Sequence, residues 1–166
     1  KEIIGALYEA SCAGVKIELI IRGICCLKAG VSGLSENISV RSIVGNFLEH
    51  SRIFYFENNG APKLYMGSAD WMPRNLDKRV EIVFPVESEN VRIQVMHILE
   101  IQLADNVKAH ILQPDGSYEK PDRRGKQTVN SQSQFCEEAI QNTQLERKKA
   151  DPTERRTFIP IESQEE

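Results

Sequence analysis

The chain lacks the long hydrophobic run of a membrane span. Its longest apolar stretch, Ile17 to Leu27, is interrupted by Glu18, Arg22 and Gly23, well short of the ~20 apolar residues a spanning helix needs. It also lacks an excess of positive charge. Twenty-four Asp and Glu against 21 Lys and Arg leave a net charge of −3, which argues against a general nucleic-acid binder. No CxxC occurs, and no paired spacing suited to zinc. Of the four cysteines, the vicinal Cys25 and Cys26 would face opposite sides of a strand, unsuited to a disulfide or to joint metal binding. All four (Cys12, Cys25, Cys26, Cys136) read as buried, reduced thiols of a cytosolic protein. A signal peptide and an initiator Met are missing too. Lys1-Glu2-Ile3-Ile4 opens inside an apolar periodic pattern, so the sequence reads as cut from a longer protein.

What is present is enough for one domain with a real core: 166 residues. Composition changes near residue 113. Before it, roughly half the residues are apolar; after it, about a fifth are, and more than a third are charged. The expected organisation is therefore a folded domain over 1–113 and a charged extension over 114–166. That extension reads as largely disordered, with one short helix over Ser133 to Leu145.

Within the first part, helical and strand periods alternate. Ile3, Ile4, Leu7 and Ala10 recur at helical spacing, and Gly14 ends that helix. Val15 to Arg22 has the length and β-rich composition of a strand, and Gly23 to Asn37 reads as a loop. Ile38–Ile43 predicts a strand, with a helical turn running into Leu48. Arg52 to Glu57 and Lys63 to Met66 read as strands joined by Asn58-Asn59-Gly60. Pro73 suits the first turn of a short helix, and Arg79 to Val86 is another strand. Ser88 precedes a helix to about Ala104, and Val107 to Leu112 closes the domain. Strands alternating with helices predict an α/β sandwich with a mixed sheet.

A few polar residues are hard to explain as scaffolding. Arg22 ends an apolar strand and enters a Gly-rich loop, the place where open α/β sheets gather ligands. It is equally well placed to pair with Glu36. His50 stands before an aromatic strand, with Arg52 at +2, Glu57 at +7, Gly67-Ser68 at +17 and +18, and Asp70 beyond. A histidine and a cation on one strand face, an acid behind them and a Gly-Ser turn make a phosphate site. His97 and His110 have no such company and read as ordinary helix and strand residues.

This spacing resembles the HxKxxxxD…GSxN pattern of phospholipase D-like enzymes, with Arg52 for the Lys, Glu57 for the Asp and Asp70 for the Asn. Longer strings resemble a more particular group: RGICCL from Arg22, GLSENI from Gly33, FLEHSR from Phe47 and SADWMPRN from Ser68. Together they are similar to the C-terminal catalytic domain of bacterial polyphosphate kinases, over about residues 1 to 113. The resemblance implies a phospholipase D-like half-domain, a mixed sheet flanked by helices. It implies transfer of the terminal phosphate of ATP to polyphosphate, through a histidine phosphorylated in the preceding domain. Magnesium would be held by that domain, and no metal or other cofactor by this chain. Arg22 would contact nucleotide phosphates, His50 would act as acid or phosphate stabiliser, and Arg79 would line the phosphate tunnel. Arg52, Ser68 and Asp70 would support them. Implied partners are ATP or ADP, polyphosphate and the other domains of the polypeptide, without nucleic acid. The full enzyme would be a cytoplasmic homo-oligomer, with membrane association left open. The alternatives are a phospholipase D-like phosphodiesterase half-domain and a non-catalytic polyanion-binding module.

Overall fold

The computed structural model describes residues 1–149. One compact unit spans Lys1–Gln132 and a second begins at Ser133. The first unit opens with α1 (Glu2–Cys12), closed where Gly14 turns at φ +87° and donates to the Ser11 carbonyl at 2.9 Å. Then follow β1 (Ile17–Ile20), β2 (Ile38–Ile43), β3 (Ile53–Phe56), β4 (Lys63–Gly67), α2 (Pro73–Lys78) and β5 (Val83–Pro85). After these come α3 (Glu89–Ala104), β6 (Ala109–Leu112), β7 (Tyr118–Glu119) and α4 (Ser131–Lys149).

The strands form two sheets rather than the one that alternation predicts. The first has the order β1-β2-β6-β7 and is mixed, because β1 runs parallel to β2 whereas β6 and β7 are antiparallel to their neighbours. Its core is Leu27, Ala29, Ile38, Val40 and Leu112, with Ile4, Leu7 and Tyr8 of α1 packed against it. Those three lie at i, i+3 and i+4, the spacing that puts side chains on one helix face. The second sheet, β3-β4-β5, is antiparallel throughout. Its core is Leu64, Val86 and Val95, flanked by Ile53, Met66 and Met96, so α3 covers it. The β3–β4 turn holds Asn58, Asn59 and Gly60 at positive φ, a conformation that Asn and Gly tolerate best.

Two expectations need correction. No helical turn forms before Leu48; residues 44–52 are irregular. The cysteines are free, but Cys12, Cys26 and Cys136 are exposed and Cys25 only half-buried, because Cys26 lies on an irregular loop and not in a strand. Among the described residues no helix is long and apolar enough to cross a membrane.

The composition change at 113 does not coincide with the edge of the compact unit. β7 pairs with β6, and Asn106 binds the chain at Gln127 and Val129 through three hydrogen bonds of 2.7–3.0 Å. Ser131, fully buried, donates from N and Oγ to Asp105 Oδ2 at 2.8 and 2.7 Å. These ties are polar, which is why apolar composition does not register them. The helix expected over Ser133 to Leu145 is found, beginning two residues earlier and reaching Lys149. The rest of the expected extension, 150–166, lies outside the described residues. A chain ended after Ile140 should therefore keep a cooperative melt, whereas one ended after Gln113 should lose on the order of 10 °C. Equal melting temperatures for the two truncations, followed by circular dichroism, would contradict this.

Candidate active site

The irregular stretch 44–52 enters β3 and carries His50 and Arg52 side by side. Arg52 is the organiser. Its Nε donates to Asp70 Oδ1 at 3.0 Å, and its Nη1 donates to the His50 carbonyl at 2.9 Å. The same Nη1 meets His50 Nδ1. A guanidinium can only donate, so Nδ1 accepts, and in the neutral ring the proton lies on Nε2. Arg22, two residues past β1, donates from Nη1 to the carbonyl of Glu49. Asp70 feels the whole group. The hydrogen bond from Arg52 holds its carboxyl below the ordinary range; slight burial opposes this, and the charges of Arg52 and Arg22 add to the lowering.

Ser68 and Asp70 sit on the turn leaving β4. Gly67 is required there, because a Cβ on it would lie 2.8 Å from the carbonyl oxygen of Ile82. The turn is locked to the approach to β5: Ser68 N donates to Ile82 O at 3.0 Å, and Ile82 N to Ser68 Oγ at 3.1 Å. Ser68 Oγ in turn donates to Glu81, whose other oxygen lies 4.0 Å from Arg79 Nη1. Arg79 is thus linked through Glu81 and Ser68 to the turn that carries Asp70. Trp71, next along, stacks on Phe54 of β3 with centroids 5.0 Å apart and planes 2° from parallel. Residues 23–28, which follow Arg22 in the chain, and the β6–β7 turn line a cleft of about 410 Å³.

A sequence model described as polyphosphate kinase C-terminal domain 2 matches residues 1–132, the extent of the compact unit. The chain belongs to the polyphosphate kinase family. It is 50% identical over 163 residues to the polyphosphate kinase of Lactiplantibacillus plantarum, covering 98% of this chain and 23% of that protein. With the Thermosynechococcus vestitus polyphosphate kinase the identity is 61% over 117 residues, 70% of this chain and 16% of the relative. A crystal structure of polyphosphate kinase from Porphyromonas gingivalis superposes with a TM-score of 0.81 at 39% identity, covering 87% of this chain and 22% of that one. The chain thus spans about a fifth of the length of its relatives. It corresponds to their C-terminal domain, with the phospholipase D-like α/β fold.

Within this polyphosphate kinase domain, the residues singled out from sequence do not all serve alike. Arg22, His50, Arg52 and Asp70 gather into one cluster. Ser68 and Arg79 join it through Glu81. Arg22 takes the Glu49 carbonyl as its partner, so the alternative pairing with Glu36 is not the one found. Glu57 does not stand behind His50. Its two carboxylate oxygens accept from Asn59 N and Gly60 N at 2.9 and 2.8 Å, which commits it to the hairpin turn. Asp70 is the acid of the cluster instead. Glu81 and Glu49 were missed. Glu81 has a signal, a carboxylate two residues beyond Arg79; Glu49 contributes through its carbonyl, which side-chain chemistry cannot announce. Among the described residues, no three His, Cys, Asp or Glu side chains gather where they could hold a metal ion.

Proposed function

We propose that this chain forms one wall of a phosphoryl-transfer site that exchanges phosphate between ATP and polyphosphate. The opposing nucleophile would be a histidine of another part of the same polypeptide. In the forward direction the bond between the γ-phosphorus and its bridging oxygen breaks, and ADP leaves. A bond from phosphorus to the nucleophile's ring nitrogen forms, and breaks when a terminal oxygen of polyphosphate attacks. Such transfer asks little covalent chemistry of its surroundings. It needs cations at the equatorial oxygens and a donor that stabilises the charge they gather.

The observation that carries this reading is the double engagement of Arg52. By donating to Asp70 and to His50 Nδ1 together, it fixes the imidazole with Nε2–H as the remaining donor. This orients His50 as a hydrogen-bond donor toward a phosphoryl oxygen. Arg22 and Arg79 supply the cationic oxygen contacts, and the cleft beginning at Gly23 has room for a nucleoside. Magnesium, as the resemblance implies, would belong to the preceding domain. The free thiols fit a cytoplasmic setting.

A half-site makes a direct prediction. The purified chain should form no ATP from ADP and polyphosphate, yet bind polyphosphate with an affinity that falls as salt rises. Coupled luminescence assays and titration calorimetry at two ionic strengths measure both. Sustained ATP synthesis by the chain alone would overturn the half-site reading.

A further inference from the structure

The segment that carries His50 has no regular secondary structure of its own, since residues 44–52 lie between β2 and β3. A side chain held to catalytic tolerance on such a segment needs outside support. Gln132 provides it. Its amide pairs with both backbone groups of Phe47, accepting from N at 3.1 Å and donating to O at 2.9 Å, as a neighbouring strand would. The same Nε2 donates to Glu49 Oε1 at 2.8 Å, and Gln102 Nε2 reaches the other carboxylate oxygen at 3.4 Å. Gln102 and Gln132 are both buried. Gly45 completes the seat, because a Cβ there would fall 2.2 Å from Gln132 Oε1. Glu49 directly precedes His50, and its carbonyl receives Arg22. One buried amide therefore holds the peptide to which both candidate phosphate ligands are tied.

We propose that Gln132 is a positioning residue for phosphoryl transfer, fixing the Phe47–Glu49 backbone and through it the His50 imidazole. The proposal rests on the reading of His50 as the transition-state donor. Gln132 itself belongs to the scaffold of the cluster and acts only through the backbone it holds. Both ends of the carboxamide are used, so neither isostere replaces it. Glutamate cannot donate, and sets two carboxylates face to face at Glu49. Methionine fills a similar space and makes none of the bonds.

The test uses the full-length enzyme with Gln132→Met and Gln132→Glu, each alone and combined with His50→Ala. Each single variant should lower kcat on the order of 10- to 100-fold, the cost of a misplaced group, with KM for ATP far less affected. In the His50→Ala background neither should cost more, because the residue being positioned is gone. Adding Glu49→Gln to Gln132→Glu restores an amide facing a carboxylate and should recover part of the lost kcat. Normal kcat in both single variants would overturn the proposal. So would losses that add to that of His50→Ala, or a loss of folded structure in both variants by circular dichroism. Normal turnover in His50→Ala alone would instead remove His50 from the mechanism, and this proposal with it.

Discussion

Replacing His50 with alanine in the full-length enzyme is expected to lower kcat by about 10²- to 10³-fold, the range for loss of one donor that stabilises transition-state charge. Nucleotide affinity should barely change. The asymmetry follows from the division of labour in the cluster. Arg22 is anchored on the Glu49 carbonyl and Arg79 beside Glu81, so neither needs the imidazole to keep its place. On the proposed reading, the Nε2–H of His50 matters most when charge builds on the phosphoryl oxygens, and an interaction confined to that moment appears in kcat rather than in binding. Arg22→Ala should show the reverse pattern. It removes a charge-assisted contact worth roughly 1.5–3 kcal/mol, and nucleotide affinity should fall by about the corresponding 10- to 100-fold. Turnover, nucleotide dissociation constant and melting temperature measured on the same two variants separate these effects. A His50→Ala enzyme with near-normal turnover would leave this domain as a cationic wall of the site.

How far the sequence could lead depends on whether an interaction has a local pattern. Helix α1 was legible from Ile3, Ile4, Leu7 and Ala10 at helical spacing, and the hairpin from Asn58-Asn59-Gly60 between two strand-like runs. Pro73 opens α2 as expected. Division into two sheets was not legible, because pairing is decided over distance: Ile43 of β2 faces Ala109 of β6, with the whole second sheet and α3 between them in the chain. At the site, His50, Arg52 and Asp70 could be picked out by spacing, and the structure places them together. Glu57 could not be told from a site acid, since a carboxylate capping a turn and one behind a histidine look the same in sequence. The ties made by Asp105, Asn106, Ser131 and Gln132 escaped for another reason. They join backbone to polar side chains across more than twenty residues, with no period and no apolar residue to mark them.

Those ties carry the second large effect. Asp105→Asn is expected to cost the domain about 3 kcal/mol, because hydrogen bonds to a charged group contribute roughly 1.5–3 kcal/mol each. Asp105 is almost fully buried. Its Oδ1 accepts from the N–H groups of Val107, Lys108 and Ala109 at 3.0, 2.8 and 3.1 Å, shaping the entry to β6. Its Oδ2 accepts both donors of Ser131. An asparagine can satisfy the first set, but it then turns an NH₂ toward Ser131, donor against donor. Burial by itself would raise the carboxyl's pKa; the Ser131 bonds and those from Lys108 and Ala109 outweigh it, and the folded value is lowered. The sign follows. A carboxyl depressed by folding stabilises above its unfolded value, and that contribution is lost as pH falls through the folded one. The melting temperature of the parent should therefore drop in acid, and that of Asp105→Asn, lower by roughly 10 °C at neutral pH, should fall less, so the two converge. Loosening Ser131 also frees Gln132, the next residue, so the same substitution in the full enzyme should reduce kcat more than its stability loss explains at working temperature. An Asp105→Asn domain that melts with the parent at neutral pH would show that the strap from 106 to 132 is held by something other than this carboxylate.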